Sequence, residues 1–393
     1  MTANNKNIDK QGKKLLNVPN LRFPEFEGEW EKDKIRNLFT INVGGDIDKK
    51  NVSESQTDKY PYPIIANALS NDGIYGYTSI YKDSAPCITV TGRGDIGSAK
   101  FRDYPLYPIV RLLVLHSNGK IDCCFGEYAI NHIRKYEEST GVPQLTSPQL
   151  GAYSICYPSF EEQIKIGDFL NLIDKRIATQ NRIIEDLKQL RFAITNRIIY
   201  NLVADKKFVP FSEIYQMAGE GGTPNTNNRQ YYEGGTIPFI KIDDLSSKYL
   251  TRNKDFITEI GLQKSSAWVI PANSLIYSNG ATIGAVSINT YKVATKQGIL
   301  GIVPKSTVCV EYLYYLTTST FFKKQIHRII THGTMTTAYL KDINKIKVPL
   351  PDIEKQNKVI KGLITLSEKI EKEQEILANF QAQKQYLLQQ MFI

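Results

Sequence analysis

PSFEEQIKIGDFL at residues 158–170 and PDIEKQNKVIKGL at 351–363 are two copies of one pattern. Pro158 aligns with Pro351, Glu161 with Glu354 and Gln163 with Gln356, at an offset of 193. An echo at a fixed period marks a duplicated structural unit. After each anchor, apolar residues recur at heptad spacing. The first series is Ile166, Leu170, Ile173, Ile177, Ile184, Leu187, Ile194 and Ile198; the second is Val359, Leu363, Leu366, Ile370, Leu377, Phe380, Leu387 and Met391. The polar breaks coincide as well, Gln180 with Glu373 and Arg191 with Lys384. Ser159 is expected to cap the first helix with Glu162 completing a capping box, and Asp352 to cap the second. A stripe of a and d positions alone is narrow and suits a partner helix; the other reading is two amphipathic helices, each packed on its own globular region. Paired antiparallel, the helices form a rod of about 60 Å (~40 residues at ~1.5 Å rise) with the globular parts at opposite ends.

Upstream of the helices a second echo pairs TGRGDIGSAKF (91–101) with SNGATIGAVSI (278–288), Ile96–Gly97 matching Ile283–Gly284 at an offset of 187. TGVPQL (140–145) faces HGTMTT (332–337). Short β-rich runs, such as residues 85–90 and 274–278, alternate with turns rich in Gly, Asn and Asp, and residues 310–330 read as amphipathic helix. The expected fold is therefore α+β: two tandem units joined by two long helices packed as an antiparallel coiled coil, with pseudo-two-fold symmetry. The boundaries are a flexible tail over 1–17, a first unit over 18–157, a helix over 158–203, a second unit over 204–350 and a helix over 351–393.

A chain of 393 residues suits two cores rather than one. No run approaches the ~20 apolar residues of a membrane span, and the polar start reads as neither signal peptide nor anchor. The five cysteines, Cys87, Cys123, Cys124, Cys156 and Cys309, form no C-x-x-C pair. They read as free thiols in a reducing compartment, the cytoplasm, without a structural metal. The net charge of +9 is concentrated in residues 204–350, which carry 17 Lys and Arg against 10 Asp and Glu. Such an excess favours a polyanionic partner, since neutralised phosphates release counterions.

The duplicated unit, closing on a Gly-led segment, a β-run, Pro and Glu-x-Gln before a long helix, resembles the specificity subunit of type I restriction–modification systems. The residues that carry the resemblance are Gly141, Leu145, Pro158 and Glu161–Gln163 in the first copy, and Gly333, Pro351, Glu354 and Gln356 in the second. GGTPNT (221–226) followed by YYEGGTIPFI (231–240) also resembles the opening of recognition domains in that family; the first copy has VGGDID (43–48) instead. The second copy has Lys355 where the first has Glu162. The resemblance implies a non-catalytic subunit that binds double-stranded DNA at a bipartite target. It implies two modification subunits that use S-adenosylmethionine to methylate adenine, and restriction subunits that use ATP, with Mg²⁺ also on the partners.

The motifs agree with a reader that carries no chemistry of its own. There is no Asn-Pro-Pro-aromatic segment and no G-x-x-x-x-G-K-[ST] loop. Gly92–Gly97 matches G-x-G-x-x-G after a β-run, but Pro105 follows where a helix would have to continue, so no helix N-terminus meets a pyrophosphate. Asp352 and Glu354 begin a helix, where acidic residues cap.

Polar and basic loops are the candidate DNA contacts, because base edges and phosphates are read by such side chains. In the second unit these are Thr223, Asn225, Asn227, Asn228, Arg229, Gln230 and Tyr231, with Lys241, Asn279, Lys296 and Thr336 beside them. In the first they are Asn67, Ser70, Asn71, Arg93, Lys100, Arg102 and Gln144. The other reading of each loop is a solvated turn; contact is favoured for residues 223–230, and the two readings stand level in the first unit. Helix pairing falls to Ile166, Ile173, Ile177, Ile184, Leu187, Val359, Leu366, Ile370, Leu377 and Phe380. Two other functions fit the same residues: a free-standing two-domain repressor, which would bind DNA without partners, and a restriction enzyme domain whose catalytic part lies elsewhere. Arg93→Ala is expected to weaken binding at the first half-site alone.

Overall fold

The computed structural model describes residues 17–133, 144–280, 282–330 and 336–393. The tail over 1–16 and the segments holding Gly141 and Gly333 lie outside them. The chain divides into two compact units, one of residues 1–181 with 375–393 and the other of residues 182–374, so each unit holds a globular body and a length of both long helices.

In the first unit, β1 (Glu31–Lys34), α1 (Ile35–Leu38) and β2 (Phe39–Val43) lead into β3 (Tyr62–Ile65), β4 (Ile74–Thr78), β5 (Cys87–Val90), β6 (Ala99–Arg102), β7 (Tyr107–Pro108) and β8 (Leu113–Ser117). α2 (Cys123–His132), α3 (Ser147–Ala152) and β9 (Ser154–Tyr157) precede the long α4 (Phe160–Ala204). The sheets run β2-β8-β5-β6, β4-β3-β7 and β1-β9. In the second unit the strands are β10 (Phe208–Pro210), β11 (Tyr215–Glu220), β12 (Ile237–Ile240), β13 (Tyr249–Leu250) and β14 (Asp255–Ile257). After α5 (Glu259–Gln263) come β15 (Leu275–Ser278), β16 (Val286–Asn289), β17 (Ala294–Thr295) and β18 (Ile299–Pro304). Then follow α6 (Val310–Thr318), α7 (Thr320–Ile329), α8 (Leu340–Ile343), β19 (Lys347–Pro349) and α9 (Ile353–Met391). Its sheets are β11-β18-β15-β16-β13, β14-β12-β17 and β10-β19. The second unit thus repeats the first strand for strand, with β13 added at one edge.

The repeat extends to the register. Ile88 pairs with Phe101 and Leu115, and Leu275 with Ile288 and Ile302, an offset of 187 throughout. The buried glutamines of the two anchors are equivalent staples. Gln163 Oε1 accepts the Asp122 N–H at 2.9 Å, and its amide donates to Lys120 O at 3.1 Å and Pro158 O at 2.9 Å. Gln356 Oε1 accepts the Cys309 N–H at 2.8 Å, and its amide donates to Thr307 O at 3.0 Å and Pro351 O at 2.8 Å. Asp122 and Cys309 are the N-cap residues of α2 and α6, so each glutamine ties a long helix to the start of a core helix. A buried donor left unmade costs more than a formed bond contributes, which explains why the amide recurs. Glu162 departs from the expected capping box. Its N–H meets Ser159 Oγ at 3.4 Å, but its carboxylate is held by Arg22 Nε and Nη2 at 2.8 and 2.7 Å. Asp352 caps its helix through the Lys355 N–H at 2.8 Å.

The long helices run antiparallel within each unit. In the second, Asp205 at the end of α4 meets Lys355 at the start of α9 (2.6 Å), and Arg191 Nη1 donates to Ser367 Oγ at 3.1 Å. In the first, Asp174 accepts from Lys384 at 2.5 Å, while the Leu21 N–H reaches Gln390 O beside the Arg22–Glu162 pair. Under the 193-residue offset Arg191–Ser367 and Lys384–Asp174 are one contact made twice. A tyrosine closes each: Tyr128 donates to Asp174 Oδ2 at 2.7 Å, and Tyr315, 187 residues on, lies 2.9 Å from Ser367 Oγ. Asp174→Ser, the residue that the repeat itself uses, is expected to shift stability by less than about 1 kcal/mol, since both ionic groups are partly solvated; thermal unfolding measures it.

Of the predicted pairing residues, Ile166, Ile173, Ile184 and Ile370 are buried, Ile177 and Val359 pack against the cores, and Leu187, Leu366, Leu377 and Phe380 are half-buried. The stripe does not hold its frame to the end. After Arg191 the inward positions are Thr195, Ile199 and Leu202, and Ile194 is exposed. A straight helix turns 3.6 residues per turn, so a strict heptad drifts off the contact line. The five cysteines are free. Burial pushes the Cys123 thiol up to about 11 and those of Cys87 and Cys124 up to about 12, so these three are not reactive thiolates at neutral pH.

Candidate nucleic-acid interface

In each unit the ends of the central strands gather the polar loops on one face. In the first, residues 91–98 form the turn between β5 and β6, closed by Thr91 N–H to Ser98 O at 3.0 Å and Gly97 N–H to Thr91 O at 2.7 Å. Gly92–Gly97 is therefore a hairpin turn and not the opening of a nucleotide-binding helix. A Cβ on Gly92 would meet Arg111 O and Leu145 O at 3.0 Å each, so only glycine lets three chain segments meet there. Asn67 Oδ1 accepts the Gly92 N–H at 2.7 Å, Leu145 N–H donates to Gly92 O at 2.8 Å, and Arg93 Nη2 donates to Gln144 Oε1 at 3.2 Å. Asn67, Arg93 and Gln144, far apart in sequence, thus form one cluster.

Arg111 joins that cluster, although nothing in its sequence context singles it out. It and Val110 have φ of 60° and 54°, in the left-handed region. Strain of that kind persists where surrounding structure over-determines it, often at functional sites. Arg111 is exposed and makes no ion pair among the described residues. By register Arg93 and Arg111 correspond to Gly280 and Gly298, whose backbones pack together in the second unit. The β5–β6 turn and the segment leading into β8 thus carry a half-buried and an exposed arginine in one unit, and bare backbone in the other.

Not every predicted residue faces outward. Arg102 is 4% exposed, bound to Asp72 Oδ2 at 2.7 Å, Tyr104 Oη at 2.7 Å and Thr89 Oγ1 at 3.1 Å. It is an internal brace, because a buried guanidinium needs its donors satisfied. Lys100 pairs with the same Asp72 but is half-exposed. Ser70 and Asn71 are exposed beside it, and Asn71 and Asp72 take φ of 49° and 59°.

In the second unit the expected loop does come to the surface. Asn225 Oδ1 accepts the Asn227 N–H at 3.0 Å and Asn228 Oδ1 the Gln230 N–H at 3.1 Å, turns that these side chains favour. Arg229 is 86% exposed with only Glu233, at 3.8 Å, beside it. Tyr231 is half-buried against the loop before α5, its carbonyl accepting the Thr258 N–H at 2.9 Å. Thr223 Oγ1 accepts the Gln297 N–H at 3.4 Å, joining this loop to Lys296 and Gln297, both exposed. Lys241 is tied to Asp255 at 2.9 Å. Asn279 is fully buried, donating to Ala338 O at 3.2 Å. It anchors the segment after Thr336 instead of presenting a base contact, as Gly92 does for Leu145 in the first unit.

The opening of the two units is alike after all. Gly44 N–H donates to Leu112 O at 2.7 Å and Gly221 N–H to Ile299 O at 2.8 Å, so Gly44–Gly45 in the first copy stand where Gly221–Gly222 stand in the second. A Cβ on Gly221 would lie 2.1 Å from Thr295 O. Gly221→Ala should therefore cost about 1–3 kcal/mol by overpacking, read as a lower unfolding midpoint for the second unit.

Among the described residues no group of His, Cys, Asp and Glu could hold a metal, and no described helix is long and apolar enough to cross a membrane. The family model for the type I restriction modification DNA specificity domain matches twice, over residues 27–189 and 204–380. The chain is 32% identical over 171 residues to the type I restriction enzyme MjaIX specificity subunit of Methanocaldococcus jannaschii, a match covering 42% of this chain and 39% of that protein. It thus spans about two fifths of that relative's length. A second protein of that organism, the putative type I restriction enzyme MjaX specificity subunit, is 22% identical over 88% of this chain and 89% of its own. The crystal structure of a type I restriction–modification S subunit from M. genitalium shares the fold, with a TM-score of 0.63 at 18% identity over 96% of this chain and 99% of that one. With a repeated fold, a repeated anchor and a family match over most of its length, the chain belongs to the type I restriction–modification DNA specificity family and carries two copies of its domain.

Proposed function

We propose that the protein is the DNA-reading subunit of a type I restriction–modification assembly. Each unit reads one half of a bipartite double-stranded target, and the segment between the halves goes unread. Two modification subunits carry S-adenosylmethionine and methylate adenine within the target. Restriction subunits bring ATP and Mg²⁺ for cleavage. The observation that carries this reading is the doubled face, where a turn and the segment packed on it carry Arg93 and Arg111 in the first unit and lie beside Lys296, Gln297 and the Thr223–Tyr231 loop in the second. Guanidinium groups suit guanine edges and phosphates, and the polar amides suit adenine. Two different sets of side chains on one scaffold are what an asymmetric, split target requires. No observation favours a free-standing repressor.

The test is the adenine methylome of a host with and without the gene. A methylated motif in two parts separated by a fixed gap should appear only when the chain is present. Should the methylated motifs be unchanged by its removal, the proposal fails.

A further inference from the structure

The first unit contains a cleft of about 690 Å³ between β6, α2 and the facing lengths of α4 and α9. Its walls include Phe101, Glu127, Tyr128, Asn131, Asp174 and Lys384; the Lys384 ammonium pairs with Asp174 and lies 5.5 Å from the Tyr128 ring. The repeat shows what such a place can hold. Phe101, Arg102, Tyr128 and Asp174 correspond to Ile288, Asn289, Tyr315 and Ser367; in the second unit Ile288 and Asn289 pair with β13, and Tyr315, bonded to Ser367, meets Lys248 just before it. There Tyr249 and Leu250 pair in parallel with Ile288 and Asn289, and Lys248 O accepts the Ile288 N–H at 2.7 Å. The Lys248 ammonium is buried, pairs with Glu311 and donates to Tyr315 Oη at 3.1 Å. The rings of Tyr249, Tyr315 and Tyr314 lie 4.7, 4.9 and 5.7 Å from it, a cage that favours a cation.

In the first unit no strand takes this place among the described residues. The β6 edge is satisfied by side chains instead. Phe101 N–H donates to Glu127 Oε2 at 2.9 Å, and Asn131 exchanges two hydrogen bonds with Ala99 at 2.8 and 2.9 Å. Glu127 thus stands in for the carbonyl that Lys248 supplies in the other copy. Burial raises its carboxyl above the usual range, against the Phe101 hydrogen bond and the nearby Lys384 and Lys100, so a further cation in direct contact would be favoured.

We infer that this cleft is a binding site for a primary ammonium group, delivered as the lysine of an extended polypeptide segment that lies along β6. On binding, a carbonyl of the segment takes over the Phe101 N–H. The released Glu127 carboxylate pairs with the ammonium beside the Lys384–Asp174 pair and the Tyr128 ring, the part that Glu311 and Tyr315 play in the second unit. This is strand addition at a sheet edge, with main-chain bonds for affinity and one pocket for specificity.

A fluorescent peptide of residues 246–251, the β13 segment itself, titrated into the full-length chain tests this. Saturable binding is expected. Acetylating the peptide lysine should weaken it at least tenfold, as should Glu127→Gln, which keeps an acceptor for Phe101 N–H. Ala178→Trp, on the exposed rim of the cleft, should block binding without touching Glu127 and decides the matter if the first variant folds poorly. Spermidine competing as well as the peptide would make a free amine the occupant and overturns strand addition. Absence of binding, or binding indifferent to acetylation and to both substitutions, overturns the inference.

Discussion

Gln163→Leu is expected to destabilise the first unit by about 3–5 kcal/mol. The side chain is 1% exposed, and its removal strands the Asp122 N–H and the carbonyls of Lys120 and Pro158. An unsatisfied buried polar group costs ~1–3 kcal/mol, and leucine supplies no partner for any of the three. Gln356→Leu should do the same to the second unit through Cys309, Thr307 and Pro351. The chain has two tryptophans, Trp30 in one unit and Trp268 in the other. Urea unfolding in a Trp268→Phe background therefore follows the first unit, and in a Trp30→Phe background the second. Each leucine should lower the midpoint of its own unit most. A loss under about 1 kcal/mol would show that the amide is replaceable and that the repeat is kept for another reason.

The glutamines are legible in the sequence as anchors, but their work is not. Glu-x-Gln before a heptad reads as helix punctuation, whereas Gln163 and Gln356 face inward toward the caps of α2 and α6, 41 and 47 residues upstream. The helix pair is legible for the reason that makes it stable: long apolar stripes need a partner. What the stripe conceals is its slip after Arg191 and the polar residues that fill its centre, Thr195 and Ser367, both buried.

The interface is harder to read. Offsets between equivalent residues change along the chain, from 177 at Gly44 and Gly221 to 187 at the β5–β6 turn and 193 in the helices. A comparison at one offset therefore misses that the two openings match. Arg102 and Asn279 read as surface residues because polar side chains in turn-rich segments are usually solvated. Both instead brace the turns from beneath. Arg111 is invisible in the linear string, where nothing marks an arginine as left-handed.

That arginine carries the second large expectation. Arg93→Gly with Arg111→Gly gives the first unit the residues that the second has at Gly280 and Gly298. Each guanidinium aimed at a base edge contributes ~1–3 kcal/mol, so the pair should cost roughly 100-fold or more in affinity for the assembled complex on its target. Where either guanidinium neutralises a phosphate, its removal should also lower the salt dependence by about one ion. Folding should not suffer: glycine adopts the φ of 60° at Arg111 without strain, so thermal stability should hold or rise. The effect must also be local. Changing bases in the half-site read by the first unit should then matter little to the variant, while changes in the other half should cost what they cost the parent. Undiminished binding, or a loss spread evenly over both halves, would remove the two arginines from the reading face and leave the strained turn a feature of folding alone.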